Sequence, residues 1–158
     1  MQTIILSAFP GTGKTYFCKN VAQNFPGQNL VVKDSDSSTF DKSDFPANYM
    51  KHIKEQIGKV DVLCVSSHQE VRDAMEEAGI EYYAVTPDAA LKNEYLQRFE
   101  DRGSPAGFIT YIEEHWEGWT DLRSYAHLGN NLFTVGKDTY VTQVVQELLT
   151  EVRANGAS

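Results

Sequence analysis

The chain of 158 residues contains little cysteine and no long apolar run. Its two cysteines are too few for the disulfide framework of a small secreted protein, and both fall in apolar positions typical of buried free thiols. No apolar run approaches the roughly 20 residues that cross a bilayer. The N-terminus shows neither the basic start nor the apolar core of a signal peptide. We therefore expect a cytoplasmic protein without a membrane-spanning segment.

The chain also lacks an excess of positive charge. Acidic residues outnumber lysine and arginine by 22 to 14, which leaves a formal net charge of −8. A surface that neutralises a nucleic-acid backbone needs the opposite balance, so we do not expect a nucleic-acid partner. Phosphorylated small ligands stay compatible, because a few basic groups act on them locally. The length is typical of one domain, predicted over residues 1–158.

A glycine-rich segment follows the first apolar run, Ile4-Ile5-Leu6, and precedes a stretch with helical periodicity. The segment reads Ala8-Phe9-Pro10-Gly11-Thr12-Gly13-Lys14-Thr15. A strand, a glycine-rich turn, Lys-Thr and a helix form the context in which main-chain amides bind phosphate. The sequence therefore predicts a phosphate-binding loop made of Pro10, Gly11, Thr12, Gly13, Lys14, Thr15 and Tyr16.

Four residues of this predicted loop have roles that follow from their chemistry. Gly11 and Gly13 allow unusual dihedral angles and a close approach of the main chain. Lys14 would reach the terminal phosphates of a nucleotide, and the Thr15 hydroxyl would bind Mg²⁺. Ala8 stands where such loops usually have their first glycine, and the alternative is a Gly-Thr-Gly-Lys turn that arose by chance.

Strand and helix patterns alternate along the whole chain. A capping box at Ser67 and Glu70 predicts the start of the helix after the third strand. Alternation of this kind predicts an α/β fold, a three-layer sandwich whose parallel sheet binds ligands at the carboxyl ends of its strands. The predicted strands are 4–6, 29–33, 61–65, 81–85 and 131–135, and the predicted helices are 16–22, 46–57, 67–78, 89–102, 108–116 and 141–152.

Two aspartates, Asp34 and Asp36, follow the second predicted strand at the same edge of the sheet as the loop. One carboxylate would hold Mg²⁺ together with Thr15, and we assign this role to Asp34. The other, Asp36, would contact the acceptor and take the proton of its hydroxyl. The third strand ends without an acidic residue, and Asp61 stands at its opposite end. The alternative is that both aspartates only make a hydrophilic turn.

Three arginines are candidates for anion binding. Arg72 follows the third strand and would bind an anionic group of the acceptor, or it is a solvated surface residue. Arg98 and Arg102 lie four residues apart on a predicted helix, at the start of a small lid over residues 89–120. Together they would clamp the transferred phosphoryl group, whereas the alternative is that they form surface ion pairs.

Aromatic residues are frequent between the lid and the C-terminus. Phe108, Ile112 and Trp116 recur at helical spacing and predict a core face. Trp119 lies outside this pattern and is the better candidate for stacking on a ligand. The pattern alone does not identify the ligand.

The glycine-rich loop, the Asp34-Ser35-Asp36 segment and the arginines of the lid resemble the P-loop nucleoside and nucleotide kinase group, whose members include adenylate and shikimate kinases. The resemblance implies a five-stranded parallel sheet in the order 2-3-1-4-5. It also implies ATP and Mg²⁺ as cofactors, a lid after the fourth strand, and an adenine site near residues 136–139.

These observations predict an ATP- and Mg²⁺-dependent kinase of a small molecule, with a nucleoside or a nucleotide as the expected acceptor. Two alternatives stay open. One is a nucleotide-binding regulatory or partner protein that holds ATP as a structural ligand. The other is a kinase of polynucleotide ends, although the acidic net charge speaks against it.

Overall fold

The structure is a computed structural model, and it describes residues 3–35 and 37–156. Within those residues, no helix is both long enough and apolar enough to cross a bilayer. The strands are β1 Ile4–Ala8, β2 Val32–Asp34, β3 Val62–Val65, β4 Tyr83–Pro87 and β5 Leu132–Val135. The helices are α1 Lys14–Lys19, α2 Val21–Asn24, α3 Ala47–Gln56, α4 Gln69–Glu77, α5 Lys92–Asp101, α6 Ala106–Trp119 and α7 Val141–Gly156, with short 3₁₀ segments at Ser37–Thr39, Ala89–Leu91 and Leu122–Asn131.

The strands form one parallel sheet in the order β2-β3-β1-β4-β5, which confirms the predicted α/β class and strand order. β1 is the central strand, and its Leu6 lies opposite Cys64 of β3 and Tyr83 of β4. All five residues of β1 are buried, as expected for a strand covered on both faces. The carboxyl ends of β1, β2 and β3 consequently meet at one edge of the sheet.

Alternate residues of the central strands pack into two separate cores, one on each face of the sheet. Leu6 contributes to the core that α1 and α7 cover, with Phe17 and Val145 as partners. Ile5 contributes to the core that α3 and α4 cover, with Ile53 and Met75 as partners. Because successive side chains of a strand point to opposite faces, this alternation produces the three layers.

A third apolar cluster joins the helix pair α5 and α6 to the loop after β1. It consists of Phe9, Tyr95, Phe99, Ile112 and Trp116, all buried. The indole of Trp116 also donates a hydrogen bond of 2.9 Å to the carbonyl of Ala89. The segment predicted as a lid is therefore anchored to the sheet edge through Phe9, and the core role predicted for Ile112 and Trp116 is confirmed.

Several element boundaries differ from the sequence predictions. β2 begins at Val32 and includes Asp34, whereas the sequence predicted residues 29–33, because Asn29 adopts a left-handed φ of 51° that a strand does not accommodate. The predicted first helix is divided at Asn20 into α1 and α2. The capping box at Ser67 is wrong, since α4 begins after His68 and has no side-chain cap.

Candidate functional site

A cavity of about 540 Å³ lies at the carboxyl ends of β1, β2 and β3. The glycine-rich loop forms one side, the ends of β2 and β3 form the other, and the α5–α6 region closes over part of it. The lining residues are Pro10, Gly11, Gly13, Lys14, Thr15, Tyr16, Asp34, Ser35, Ser37, Ser66, Ser67, His68, Arg102, Phe108 and Trp119.

The carbonyl groups of the loop are bound by the protein behind it. The Phe9 carbonyl accepts a hydrogen bond of 2.6 Å from the Thr12 hydroxyl. The carbonyl of Gly11 accepts one of 3.0 Å from the Arg98 guanidinium, and that of Thr12 accepts one of 2.9 Å from the amide of Val141. These bonds fix the loop through its acceptors.

Three amides of the loop, in contrast to its carbonyls, have no hydrogen-bond partner among the described residues. Gly13, Lys14 and Thr15 line the cavity, and no acceptor within residues 3–35 and 37–156 takes their main-chain N–H groups. A row of unsatisfied donors on the wall of a cavity suits an anion with several oxygens. The ammonium group of Lys14 adds a positive charge to the same wall.

Glycine is required at two positions of the loop. Gly11 and Gly13 have φ angles of 84° and 96°, in the region that side chains with a Cβ rarely adopt. A Cβ on Gly11 would lie 3.1 Å from the Tyr95 ring, and one on Gly13 would lie 3.2 Å from the Cβ of Tyr140. Ala8 is the buried last residue of β1, and the core accommodates its methyl group.

Two predicted loop residues lie at the limits of the site. The Thr12 side chain is buried and bonded to Phe9, so it does not line the cavity. Tyr16 lines the rim, with 58% of its surface exposed. Pro10 and Thr15 line the cavity as the loop prediction requires.

The structure brings Asp34 to the side of the cavity that faces the loop. Asp34 is the exposed last residue of β2 and pairs with Cys64 of β3. Asp36, the second predicted carboxylate, lies outside the described residues. Thr15 and Asp34 thus share one cavity, while Asp61 lies at the opposite end of β3, where its carboxylate accepts a hydrogen bond of 2.7 Å from the Val31 amide.

Tyr49 of α3 joins the ends of β2 and β3 beneath the cavity. Its hydroxyl donates a hydrogen bond of 2.6 Å to the Ser35 carbonyl and accepts one of 3.2 Å from the Ser66 amide. The Ser35 hydroxyl is in turn 2.7 Å from Nε2 of His52. These bonds place Ser35 and Ser66 in the wall next to Asp34. Neither serine was among the predicted site residues.

The two arginines predicted to act together are separated. α5 ends at Asp101, and Arg102 follows it as the C-cap residue, with its amide donating a hydrogen bond of 3.2 Å to the Arg98 carbonyl. Arg102 lines the cavity, whereas Arg98 binds the carbonyls of Gly11 at 3.0 Å and Lys137 at 2.7 Å. Arg98 therefore supports the loop from behind. Its guanidinium also lies 3.7 Å from the carboxylate of Glu94, which is a surface ion pair of the kind the alternative described.

Arg72 lies neither in the cavity lining nor in solvent. Its side chain is buried, with 6% of the residue exposed, and the alternative of a solvated surface arginine is wrong. Its Nε donates a hydrogen bond of 3.1 Å to the Ser67 carbonyl, and its guanidinium lies 4.4 Å from the centre of the Tyr125 ring. These contacts stabilise the turn after β3, and anion binding by Arg72 stays a prediction.

An aromatic wall, which we define as His68, Phe108 and Trp119, completes the cavity. The His68 and Trp119 rings are stacked, with centroids 5.4 Å apart and planes 26° from parallel. Partial loss of water around the ring lowers the pKa of His68, and the positive charge of Lys14 lowers it further. Both effects favour the neutral form of His68. Of these three residues, sequence reasoning had taken Phe108 for core.

The two cysteines lie behind the loop and are free thiols, as predicted. Cys64 is buried, but Cys18 is only half-buried, in contrast to the expectation for both. A hydrogen bond between the thiols lowers the pKa of Cys18 and raises that of Cys64. The pair packs in the core next to Asp34 and Lys14 and does not line the cavity.

No protein-family model matches the chain, and no curated protein is significantly similar to it. The residues and distances of the cavity are consequently the basis for a functional proposal.

Proposed function

We propose that this protein transfers the γ-phosphoryl group of ATP, with Mg²⁺, to a hydroxyl group of a small molecule that is a nucleoside or a nucleotide. The observation that carries the proposal is the polarity of the loop. Its carbonyls are bound from behind, and the amides of Gly13, Lys14 and Thr15 have no partner among the described residues and lie on a cavity that also contains Asp34.

The residues of the cavity fit a bound magnesium nucleotide. Mg²⁺ binds through one or two protein oxygens and completes its shell with phosphate oxygens and water. The Thr15 hydroxyl and the Asp34 carboxylate could supply such oxygens. The described part of the chain contains no cluster of three or more His, Cys, Asp or Glu side chains that could hold a metal alone. Bound Mg²⁺ would neutralise part of the phosphate charge.

The chemistry then follows from the positions of the side chains. The acceptor hydroxyl oxygen forms a bond to the γ-phosphorus, and the bond from that phosphorus to the bridging oxygen of ADP breaks. The proton of the hydroxyl passes to a carboxylate on the β2 side of the cavity and from there to water. Lys14 and Arg102 stabilise the negative charge on the transferred group. Asp34 fits either carboxylate role, and the role of Asp36 stays a prediction.

We extend the proposal to the fold family and the location of the protein. The strand order, with the glycine-rich loop directly after the central strand, supports the P-loop nucleoside triphosphate hydrolase fold. Two free thiols support a reducing, cytoplasmic environment.

The experiment is a measurement of ADP release from ATP and Mg²⁺ in the presence of nucleosides, nucleoside monophosphates and small hydroxy acids. We expect at least one acceptor to stimulate ADP release. Asp34→Asn should lower turnover with little change in melting temperature, because the side chain is exposed. Asp44→Asn, an exposed carboxylate outside the cavity lining, is the matched control and should leave turnover unchanged.

Two results would contradict this proposal. ATP binding without stimulation by any acceptor, and without an effect of Asp34→Asn, would favour a protein that holds ATP as a structural ligand. Phosphorylation of oligonucleotide 5′ ends in preference to every small acceptor would favour a kinase of polynucleotide ends. A measurement of ATP binding tests the first result, and transfer of label from γ-labelled ATP to each acceptor or oligonucleotide tests the second.

A further inference from the structure

The cavity combines one aromatic wall with few positive charges, and this combination bears on the acceptor. Trp119 is held in place by Phe9, whose ring centre is 4.7 Å away, and by a hydrogen bond of 3.4 Å to the Ser67 carbonyl. His68 is stacked on Trp119, and Phe108 lines the same cavity. Fixed aromatic surfaces in a cavity bind flat aromatic rings by stacking, since every such ring has a π-face.

The positive charges of the cavity are few. Among the lining residues, only Lys14 and Arg102 are lysine or arginine. Lys14 belongs to the loop, and Arg102 is the one lid arginine that reaches the cavity. A triphosphate bound with Mg²⁺ keeps a net negative charge, and both cations would face it.

On the β2–β3 side, Lys33 of β2 is exposed but does not belong to the residues that line the cavity. The Arg72 guanidinium is buried against the Ser67 carbonyl and the Tyr125 ring, and that of Arg98 is bound to the carbonyls of Gly11 and Lys137. The His68 ring is stacked on Trp119, and its surroundings favour the neutral form. A phosphate group on the acceptor would therefore lie near the Asp34 carboxylate with no lysine or arginine of its own in the lining, since Mg²⁺ would be shared with the triphosphate. Like charges in a partly enclosed site repel each other.

We infer that the acceptor is an uncharged aromatic compound with a hydroxyl group, of the nucleoside class, and not a nucleoside monophosphate. The inference rests on the proposed function and refines its substrate. The base stacks on the aromatic wall, and the sugar hydroxyl faces Asp34 among the hydroxyl groups of Ser35, Ser37 and Ser66. The reaction is the transfer described above, with ADP and a nucleoside monophosphate as products.

The test compares kcat/KM for the common nucleosides with kcat/KM for their 5′-monophosphates, at saturating ATP and Mg²⁺. We expect the nucleosides to be preferred by about 100-fold or more, which is the scale of an unpaired like-charge contact. Trp119→Ala should lower kcat/KM for the nucleoside by roughly 5- to 150-fold through loss of stacking, while the KM for ATP is unchanged. Trp119→Phe should restore part of that loss, and Leu122→Ala, an exposed apolar residue outside the cavity lining, should have no effect.

A second pair of variants tests the charge argument directly. His68→Lys adds a cation to the aromatic wall and should narrow the preference for nucleosides over monophosphates, whereas His68→Gln should leave the ratio unchanged. Melting temperatures establish that each variant is folded.

The outcomes separate the inference from the proposed function. ATP-dependent phosphorylation of monophosphates in preference to nucleosides, or of non-aromatic hydroxy acids, would overturn the inference and leave the kinase proposal standing. A rise in the KM for ATP in Trp119→Ala would also overturn it, because the wall would then bind the donor base. Absence of ATP turnover with every acceptor would overturn both.

Discussion

The two long sides of the cavity are held in place by different interactions. The loop side, residues 10–15, is bound from behind through its own carbonyls and packed against buried aromatic rings, as the contacts of Gly11 show. The opposite side, residues 34, 35, 37 and 66–68, consists of strand ends joined by the Tyr49 hydroxyl, and its Asp34 and His68 side chains are exposed.

Under the proposed function, this difference separates the tasks of the two sides. A loop that presents amides to an anion must keep a fixed backbone, because its ligands are main-chain groups. A side that contacts a variable second substrate uses side chains, which can be exchanged without disturbing the backbone. Substitutions on the loop side are thus expected to affect stability and activity together, except where a side chain only faces the cavity.

Lys14→Ala should have the largest effect on activity. Removing the positive charge of Lys14 from the loop side of the cavity is expected to lower turnover by about 10²- to 10³-fold. This is the scale found for a single group that stabilises transition-state charge. The melting temperature should change little, since Lys14 is only half-buried and faces the cavity. ADP release and thermal unfolding measure the two quantities.

Lys19→Ala is the control for this change, because Lys19 is in the last turn of the same helix and is exposed outside the cavity. Equal activity loss in both variants would show that the general charge of α1 matters and not the position of Lys14.

Gly11→Ala should destabilise the fold more than the same change at a free turn. The added Cβ would be strained at a φ of 84° and would lie 3.1 Å from the ring of Tyr95 and 3.2 Å from that of Phe99, both buried and unable to move aside. Backbone strain of ~1–2 kcal/mol plus overpacking of similar size predicts a loss of roughly 2–4 kcal/mol in the free energy of unfolding. Urea denaturation measures this loss.

Gly27→Ala isolates the backbone contribution. Gly27 has a φ of 74°, but a Cβ there meets nothing within 4 Å. We expect a loss of about 1–2 kcal/mol, which is the strain alone. If the two variants lost the same free energy, the loop would not be packed as tightly as its aromatic neighbours imply.

Arg98→Ala and Arg102→Ala should have opposite profiles. Arg98 supplies the bonds from behind to the carbonyls of Gly11 and Lys137, so its loss should cost about 2 kcal/mol of stability. Arg102 is exposed and lines the cavity, so its loss should lower turnover and change stability by less than about 0.5 kcal/mol. Urea denaturation and ADP release on both variants test this contrast, and a matching loss of stability in Arg102→Ala would disprove it.

The smallest expected effect is a pH dependence on the strand-end side. Desolvation lowers the pKa of both His52 and His68 below the usual 6.5, so the unfolded chain binds more protons than the folded one just below that pH. Stability should therefore be full above about pH 6.5 and decrease as the pH falls through the folded pKa values. The double variant His52→Gln, His68→Gln should flatten the dependence of the unfolding free energy between pH 7 and pH 5. A slope identical to that of the unmodified protein would exclude these two histidines as its cause.

Much of the fold followed from patterns of neighbouring residues. Buried strands have short apolar runs and helices have apolar residues three and four apart, so the alternation that leads to a parallel sheet was predictable. The start of β2 was not, because nothing in the apolar run 29–33 indicated the left-handed turn at Asn29.

The candidate site was predictable where a residue type with a known chemical role stands directly after a predicted strand. Lys14, Thr15 and Asp34 were found because a loop after β1 and a carboxylate after β2 must meet at one sheet edge. The different contacts of Arg98 and Arg102 were not predictable, because Arg98 binds the carbonyls of Gly11 and Lys137, which are distant in sequence, while Arg102 lines the cavity. The surface alternative for Arg72 failed for a related reason, since burial against Tyr125 is a contact between distant segments.

The sequence by itself determined the α/β class, the glycine-rich loop after β1 and the carboxylate at the end of β2, since each depends on residue types at fixed short spacings. Only the tertiary structure decided which cations reach the cavity and which aromatic rings line it. Those assignments depend on contacts between residues as far apart as Gly11 and Arg98. Patterns of neighbouring residues do not indicate such contacts.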